Sequence, residues 1–312
     1  MSTDPGAVDV SVVVPLLDEA ATVEELVSRI RSVLAQRGCR FEIVLVDDGS
    51  TDGTREILRR LEAEDPALRV FELTRNFGQA AALVCGLFAA RGEVVVSLDG
   101  DLQNPPEEIP KLLDALDKGA DIATAKRSQR FESLGRWLGS RAIHWMAKHL
   151  TGVRIEDFGG QFKAYRRVVL EATRRAWAPG KPFFPLALWL GFPVTEVAVR
   201  HEPRRVGSSR YSLRALIHIN LDLVTAFTTL PLSLLGFAGA VLATLGLVGT
   251  VLCLALSPAG WLPAAASLTL VAVGALFLAT GVLGQYLGRV YRQVAGGGPA
   301  YVVRNGPRRD AE

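Results

Sequence analysis

Two short acidic clusters carry the side chains best suited to chemistry: Asp47-Asp48-Gly49-Ser50-Thr51-Asp52 and, further along, Asp99-Gly100-Asp101 followed by Gln103. When a nucleoside diphosphate departs from a sugar, negative charge builds on the leaving phosphates. A divalent metal held by carboxylates neutralises that charge as a Lewis acid and template. Asp99 and Asp101 offer two carboxylates to one crevice with room for such an ion, and Gln103 adds a neutral oxygen ligand. A three-residue acidic pattern is also common as a solvated turn. Its weight here comes from its setting, after an apolar run ending at Leu98 and before Asn104-Pro105-Pro106. Asp-Gly-Ser-Thr marks a tight turn and a cap for the next helix. A carboxylate at such a turn can also take the base or ribose of a nucleotide, so the two readings are compatible.

The elements that must hold these clusters follow from periodicity. Residues 10–15 (VSVVVP) and 41–46 (FEIVLV) are β-branched runs of the kind that form buried parallel strands, and residues 22–36 between them have helical spacing. The alternation continues with a helix at 53–63, a strand at 68–73, a helix at 79–90 and a strand at 93–98. Strands alternating with helices predict a doubly wound α/β sheet, whose ligands sit beyond the carboxyl ends of the strands. Both acidic clusters fall there, after the second and fourth strands. No Gly-x-Gly-x-x-Gly follows the first strand, so a dinucleotide site has little support.

The composition describes two different materials. Mean hydropathy is +0.24, yet no Asp, Glu, Lys, Arg or His lies between Leu223 and Gly288. Spanning a bilayer takes roughly 20 apolar residues, so this segment has room for two helices, residues 230–256 and 262–287, joined by a turn at Ser257-Pro258-Ala259-Gly260. A buried hairpin in a soluble helical core would carry a polar stripe, which these helices lack. Arg200, Arg204, Arg205, Arg210 and Arg214 precede the segment, and Arg289, Arg292, Arg304, Arg308 and Arg309 follow it. Positive flanks on both sides predict a multi-pass protein of the cytoplasmic membrane with both termini in the cytoplasm. The polar start of the chain has neither the basic nor the apolar region of a signal peptide.

The expected organisation is a cytoplasmic domain over 1–210, an interfacial helix over 211–229, two membrane helices over 230–288 and a cytoplasmic tail over 289–312. Residues 133–150, with Trp137 and Trp145, read either as an interfacial amphipathic helix or as a helix packed on the sheet. Cys39, Cys85 and Cys253 are odd in number and in no metal or redox spacing, so they read as small apolar residues. A net charge of +3 is too modest for a nucleic-acid binder and suits anionic headgroups or a phosphorylated lipid.

Taken in order, residues 12–19 (VVVPLLDE), 46–52 (VDDGSTD), 75–78 (RNFG) and 98–107 (LDGDLQNPPE) resemble the family 2 glycosyltransferases of the GT-A fold. Residues 157–167 (DFGGQFKAYRR), 205–212 (RVGSSRYS) and 284–291 (GQYLGRVY) narrow the resemblance to the branch that glycosylates polyprenyl phosphates. That resemblance implies a Rossmann-like GT-A domain followed by a two-helix membrane hairpin. It implies transfer of one sugar from a nucleotide-sugar, with Mg2+ or Mn2+, to a polyprenyl phosphate. Residues 101–110 and 222–225 are most similar to the formamido-arabinose and bactoprenol-glucose types, which favours a UDP-sugar donor and undecaprenyl phosphate.

The family pattern, carried onto these positions, places Pro15, Leu16, Asp18, Glu19, Asp47, Asp48, Asp99 and Gly100 around the nucleotide-sugar. Asp99, Asp101 and Gln103 hold the metal and diphosphate. Arg127, Arg136, Arg205 and Arg210 meet the lipid phosphate, and Asp157, with Asp101, serves catalysis by orienting the acceptor or the basic residues. Where the family often has Gly-Glu-Ser-Lys this chain has Gly207-Ser208-Ser209-Arg210, which keeps the charge but changes its geometry. A phosphate acceptor is already an anion, so no histidine base is expected. Membrane lipid is an expected partner, and the resemblance also leaves room for a homo-oligomer.

Two other functions fit parts of the sequence. A processive polysaccharide synthase carries Gln-x-x-Arg-Trp, but Ser133 stands where Arg136-Trp137 would need the glutamine, and two spans are few for a channel. A silent membrane scaffold or lipid-flipping partner would not need the intact Asp-x-Asp with Gln103.

Overall fold

The computed structural model describes residues 8–127, 160–177, 182–202 and 301–306, with scattered positions between 269 and 290. The chain divides into two compact units, Met1–Arg210 with Pro299–Glu312, and Tyr211–Gly298. In the first unit the described strands are β1 (Val10–Leu16), β2 (Phe41–Asp47), β3 (Leu68–Leu73), β4 (Val94–Ser97), β5 (Ile122–Arg127), β6 (Lys163–Arg166), β7 (Val194–Val199) and β8 (Val303–Asn305). The helices are α1 (Val23–Arg37), α2 (Thr54–Glu64), α3 (Gln79–Ala89), α4 (Ile109–Asp117), α5 (Arg167–Ala176) and α6 (Phe183–Trp189).

The strands form one sheet in the order β7-β5-β6-β4-β1-β2-β3-β8. β4, β1, β2 and β3 run parallel, as the repeated strand-helix alternation predicts. Beyond them the sheet is mixed rather than uniformly wound: β6 lies antiparallel between β4 and β5, and β8 pairs antiparallel with β3. β5 and β7 are parallel to each other.

Both faces of the central strands are covered, so β1 is buried along its whole length. Val12, Val14 and Leu16 point into one core with Leu26, Ile30 and Leu34 of α1 and Leu112 and Leu116 of α4. Val13 points the other way, among Leu83 and Leu87 of α3, Val169 of α5 and Phe183 and Phe184 of α6. Helix α1 buries Val23, Leu26, Val27, Ile30, Val33 and Leu34 on one stripe. It stops at Gly38, whose φ of 68° is the left-handed conformation that glycine adopts cheaply.

Among the described residues, no helix is long and apolar enough to cross a membrane. The expected spans lie almost wholly outside the described residues, as do the expected interfacial helices at 133–150 and 211–229. The described positions between 269 and 290 are helical, and Leu276, Leu283, Leu287 and Val290 are exposed there.

Candidate active site

Parallel strands place their carboxyl ends along one edge of the sheet, and the loops after β1, β2, β3 and β4 meet there. Each loop is tied to its neighbours by side chains. After β1, the Asp18 N–H donates to Ser50 Oγ at 2.9 Å, the Glu19 N–H to Thr54 Oγ1 at 2.9 Å and the Ala20 N–H to Asp52 Oδ2 at 3.1 Å. In return Asp18 Oδ1 accepts the Thr51 N–H at 2.9 Å. Asp18 holds a positive φ of 55°, an uncommon conformation for a residue other than glycine. These four bonds hold it there. The Thr22 hydroxyl lies 2.9 Å from Glu19 Oε2 and 3.1 Å from the Gly100 carbonyl, and its one proton serves either, joining the start of α1 to the Asp-Gly-Asp turn.

The turn after β2 is built inward. Asp47 is fully buried, accepts the Ser50 N–H at 3.0 Å through Oδ1 and pairs with Arg55 Nη2 at 2.9 Å through Oδ2. Asp48 is also buried, and its carboxylate accepts the Phe77 N–H at 2.7 Å and the Gly78 N–H at 2.9 Å in the loop after β3. Burial pushes the Asp48 carboxyl up; the two N–H donors pull it back in part, and neighbouring Asp47 adds to the rise. Gly49 has φ 81°, and a Cβ there would lie 2.7 Å from the backbone of Arg75 and Asn76. Only a glycine lets the two loops approach so closely. The expected nucleotide residues Asp47 and Asp48 therefore use their carboxylates to shape the crevice wall. Asp52, expected in the same turn, accepts from the Thr54 N–H at 3.0 Å and from Thr54 Oγ1. Burial works against its charge, but these bonds and the Ala20 N–H hold its carboxyl below the ordinary range.

After β4, Asp99, Asp101 and Gln103 are half-buried in the turn at the carboxyl end of the strand. Asp99 Oδ1 accepts from Gln79 Nε2 at 2.7 Å, which brings the first residue of α3 to the turn. Asp101 accepts the Gln103 N–H at 3.1 Å and Gln103 Nε2 at 2.5 Å. Gln103 thus turns its amide nitrogen, rather than its oxygen, toward Asp101. Gly100 is buried, and a Cβ on it would meet Leu16 Cδ2 at 2.5 Å. Pro15 and Leu16 are buried at the end of β1, so they back this turn.

Among the described residues, no group of three or more His, Cys, Asp or Glu side chains comes together to hold a metal. Two carboxylates and an amide on one turn nevertheless fit a hard divalent cation that takes its remaining oxygens from phosphates and water. The amino-terminal ends of α1, α2 and α3 open toward the same edge and favour an anion.

Of the remaining expected residues, Arg127 ends β5, where its Cα pairs in register with Val199. Asp157, Arg136, Arg205 and Arg210 lie outside the described residues. Several contributors escaped the sequence. Gln79 has no motif of its own, and the Thr22, Ser50 and Thr54 hydroxyls look like ordinary caps. Glu108 is buried and pairs with Lys111 at 2.5 Å and Arg200 at 2.8 Å. In the sequence Glu108 stands only within residues 101–110 of the resemblance and at the Pro-Glu-Glu start of a helical turn, neither of which marks it as a partner of Arg200.

The model of the family described as Glycosyl transferase family 2 matches residues 11–174. The chain is 40% identical to the undecaprenyl-phosphate 4-deoxy-4-formamido-L-arabinose transferase of Edwardsiella ictaluri (strain 93-146), over 95% of this chain and 93% of that one. It is 39% identical to the protein of the same name from Pseudomonas syringae pv. syringae (strain B728a), over 91% and 87%. Among solved structures, a mycobacterial protein aligns with a TM-score of 0.51 at 22% identity, covering 70% of this chain and 73% of that one. Glucosyl-3-phosphoglycerate synthase from Mycobacterium tuberculosis, solved with Mn2+ and UDP-glucose, aligns with a TM-score of 0.50 at 22% identity, covering 68% and 75%. At that identity the structural likeness concerns the fold.

Proposed function

This chain belongs to glycosyl transferase family 2, and from that premise we propose that it moves one sugar from a UDP-sugar to undecaprenyl phosphate at the cytoplasmic face of a membrane. The observation that carries the reading is the Asp99-Gly100-Asp101 turn at the end of β4, in a chain similar over nearly its full length to transferases named for that acceptor.

Asp99, Asp101 and the Gln103 amide would hold Mg2+ or Mn2+, which supplies Lewis-acid neutralisation of the leaving diphosphate when bound. The chain itself does the rest. Asp47 and Asp48 brace the turn against which the nucleoside lies, and Asp18 and Glu19 line it from β1. The amino-terminal ends of α1 and α3 face the diphosphate. The acceptor phosphate is an anion at neutral pH and needs no base to attack the anomeric carbon, which breaks its bond to UDP as the new bond to phosphate forms. Arg127, Arg136, Arg205 and Arg210 hold that phosphate through charge-assisted bonds, offsetting the repulsion between two anions in one cleft. Asp157 orients the acceptor or these arginines.

Residues 230–256 and 262–287 serve as a two-helix anchor. Two observations support this beyond the flanking charge. Four large apolar side chains are exposed on the helical positions near its end. The chain also leaves the first unit after Arg210 and rejoins it at Pro299, with β8 back on the same sheet. A segment that starts and ends on one side of a bilayer crosses it an even number of times.

The deciding experiment incubates the purified protein with undecaprenyl phosphate, Mg2+ or Mn2+, and UDP- and GDP-sugars one at a time, UDP-4-deoxy-4-formamido-L-arabinose among them. Mass spectrometry reads the lipid. A gain of one sugar mass with a UDP donor supports the reading. No product with any donor, while UDP still binds, overturns it.

A further inference from the structure

The turn that carries Asp101 and Gln103 contains an unfavourable backbone: Leu102 has φ 58° and is buried. A bulky residue stays in the left-handed region only where its surroundings leave no alternative. Part of what holds it is local, namely the Leu102 side chain in the core and the two bonds from Gln103 to Asp101. The rest comes from far along the chain. Just past β7, the Glu202 N–H donates to the Gln103 carbonyl at 2.8 Å, and His201 Nδ1 lies 3.4 Å from Asn104 Oδ1. The segment that supplies them is fastened by Arg200, whose Nε donates at 2.8 Å to Oε1 of Glu108. Glu108 itself is buried, and its other oxygen takes Lys111. Arg200 is mostly exposed, so packing does not hold it in place. Its side-chain bond to Glu108 does, together with the Arg200 backbone N–H, which also donates to the Glu108 carboxylate.

We propose that Glu108 and Arg200 are positioning residues: by fastening residues 200–202 to the turn after β4, they hold Asp101 and Gln103 in the arrangement that takes the divalent cation. This rests on the metal role proposed above. Neither residue is among those proposed above to hold the reactants. They act through the Glu202-to-Gln103 bond: Arg200→Gln removes the side-chain half of the linkage, and Glu108→Gln weakens both the side-chain and the backbone half. Lys111 shares Glu108 but makes no bond to residues 200–202, so it serves as the control.

The test is a Mn2+ titration of the full-length protein in detergent with UDP present, following bound and free Mn2+ by electron paramagnetic resonance. Arg200→Gln and Glu108→Gln should each raise the Mn2+ concentration for half-saturation roughly tenfold, the scale on which residues behind metal ligands act. The double variant should be no worse than Glu108→Gln alone, because the Arg200 side chain acts only through Glu108. Lys111→Gln should stay within about twofold of the parent, and Arg200→Lys, which keeps the charge but loses the planar guanidinium, should fall between the parent and Arg200→Gln. An unchanged titration in Arg200→Gln, or losses that add in the double variant, overturns the proposal. If the parent protein binds no Mn2+ with UDP present, the metal role fails, and this inference fails with it. If the parent binds and the variants match it, only this inference fails.

Discussion

Asp101 and Gly100 are neighbours that should fail in different ways. Asp101 is half-buried and its carboxylate takes two bonds from Gln103 on the same turn, so Asp101→Ala removes a proposed metal ligand and those two bonds without opening the core. Transfer should fall by at least about a hundredfold, as for the loss of a group that stabilises leaving charge, while the melting temperature changes little. Activity that survives both this change and chelation would remove the metal from the mechanism. Gly100→Ala places a methyl 2.5 Å from Leu16 Cδ2, so the buried Leu16 side chain or the turn must shift. Overpacking of this kind costs about 1–3 kcal/mol, and both stability and transfer should drop, read by thermal unfolding and product formation. At this scale the sequence was a partial guide. It located Asp47, Asp48, Asp99 and Asp101 at strand ends, because a strand followed by an acidic turn is visible as a pattern. It could not separate a carboxylate that meets a ligand from one that holds a loop. The N–H groups of Phe77 and Gly78 that occupy Asp48 lie about thirty residues downstream, and only the folded sheet brings them together.

Among the elements, β1 to β4 and α1 to α3 were legible to within about a residue at most ends, since strands buried on both faces read as unbroken apolar runs. β5 to β8 were not. β6 (KAYR) and β8 (VRN) are too short and polar to give a signal, and β6 enters between β4 and β5, which no local pattern announces. The joints between elements are ionic and should respond to acid. Arg29 of α1 makes two bonds to Glu107 and holds its carboxyl below the ordinary range. Glu108 is also lowered, because Lys111 and Arg200 together outweigh the burial that opposes its charge. Asp9 is lowered chiefly by the side chain of Arg40. A carboxyl lowered in the fold stabilises it above the unfolded value near pH 4 and loses that contribution as pH falls through the folded value. Asp48, raised in the fold, runs in the opposite direction and is outnumbered. The melting temperature should therefore decline as pH drops from about 5 toward 3. Arg29→Gln should flatten that decline by removing the Glu107 share, and an unchanged acid limb in circular-dichroism melts would show that the joint between α1 and the turn before α4 carries no stability.

On the scale of the whole molecule, the return of the chain to its own sheet matters most. The sequence presented residues 289–312 as a tail; instead, Leu73 and Val303 pair across the β3–β8 edge and the Thr74 N–H donates to the Val302 carbonyl at 2.9 Å. The first unit thus takes residues from both sides of the apolar stretch. That lets the proposed anchor be tested apart from the chemistry. Replacing residues 230–287 by a Gly-Ser linker long enough to let β8 pair should leave UDP binding by calorimetry within about threefold of the parent, because every residue proposed to hold the nucleotide precedes Arg210. What changes is the encounter with the acceptor. An anchored enzyme and an anchored lipid share a surface, and confinement of that kind is worth roughly 10²–10⁴ in effective concentration. Transfer to undecaprenyl phosphate in vesicles should fall by about a hundredfold or more, while transfer to a short, water-soluble polyprenyl phosphate should stay close to the parent rate. Equal losses on both acceptors would mean that the segment shapes the active site itself, and no loss on either would mean that it is not the anchor.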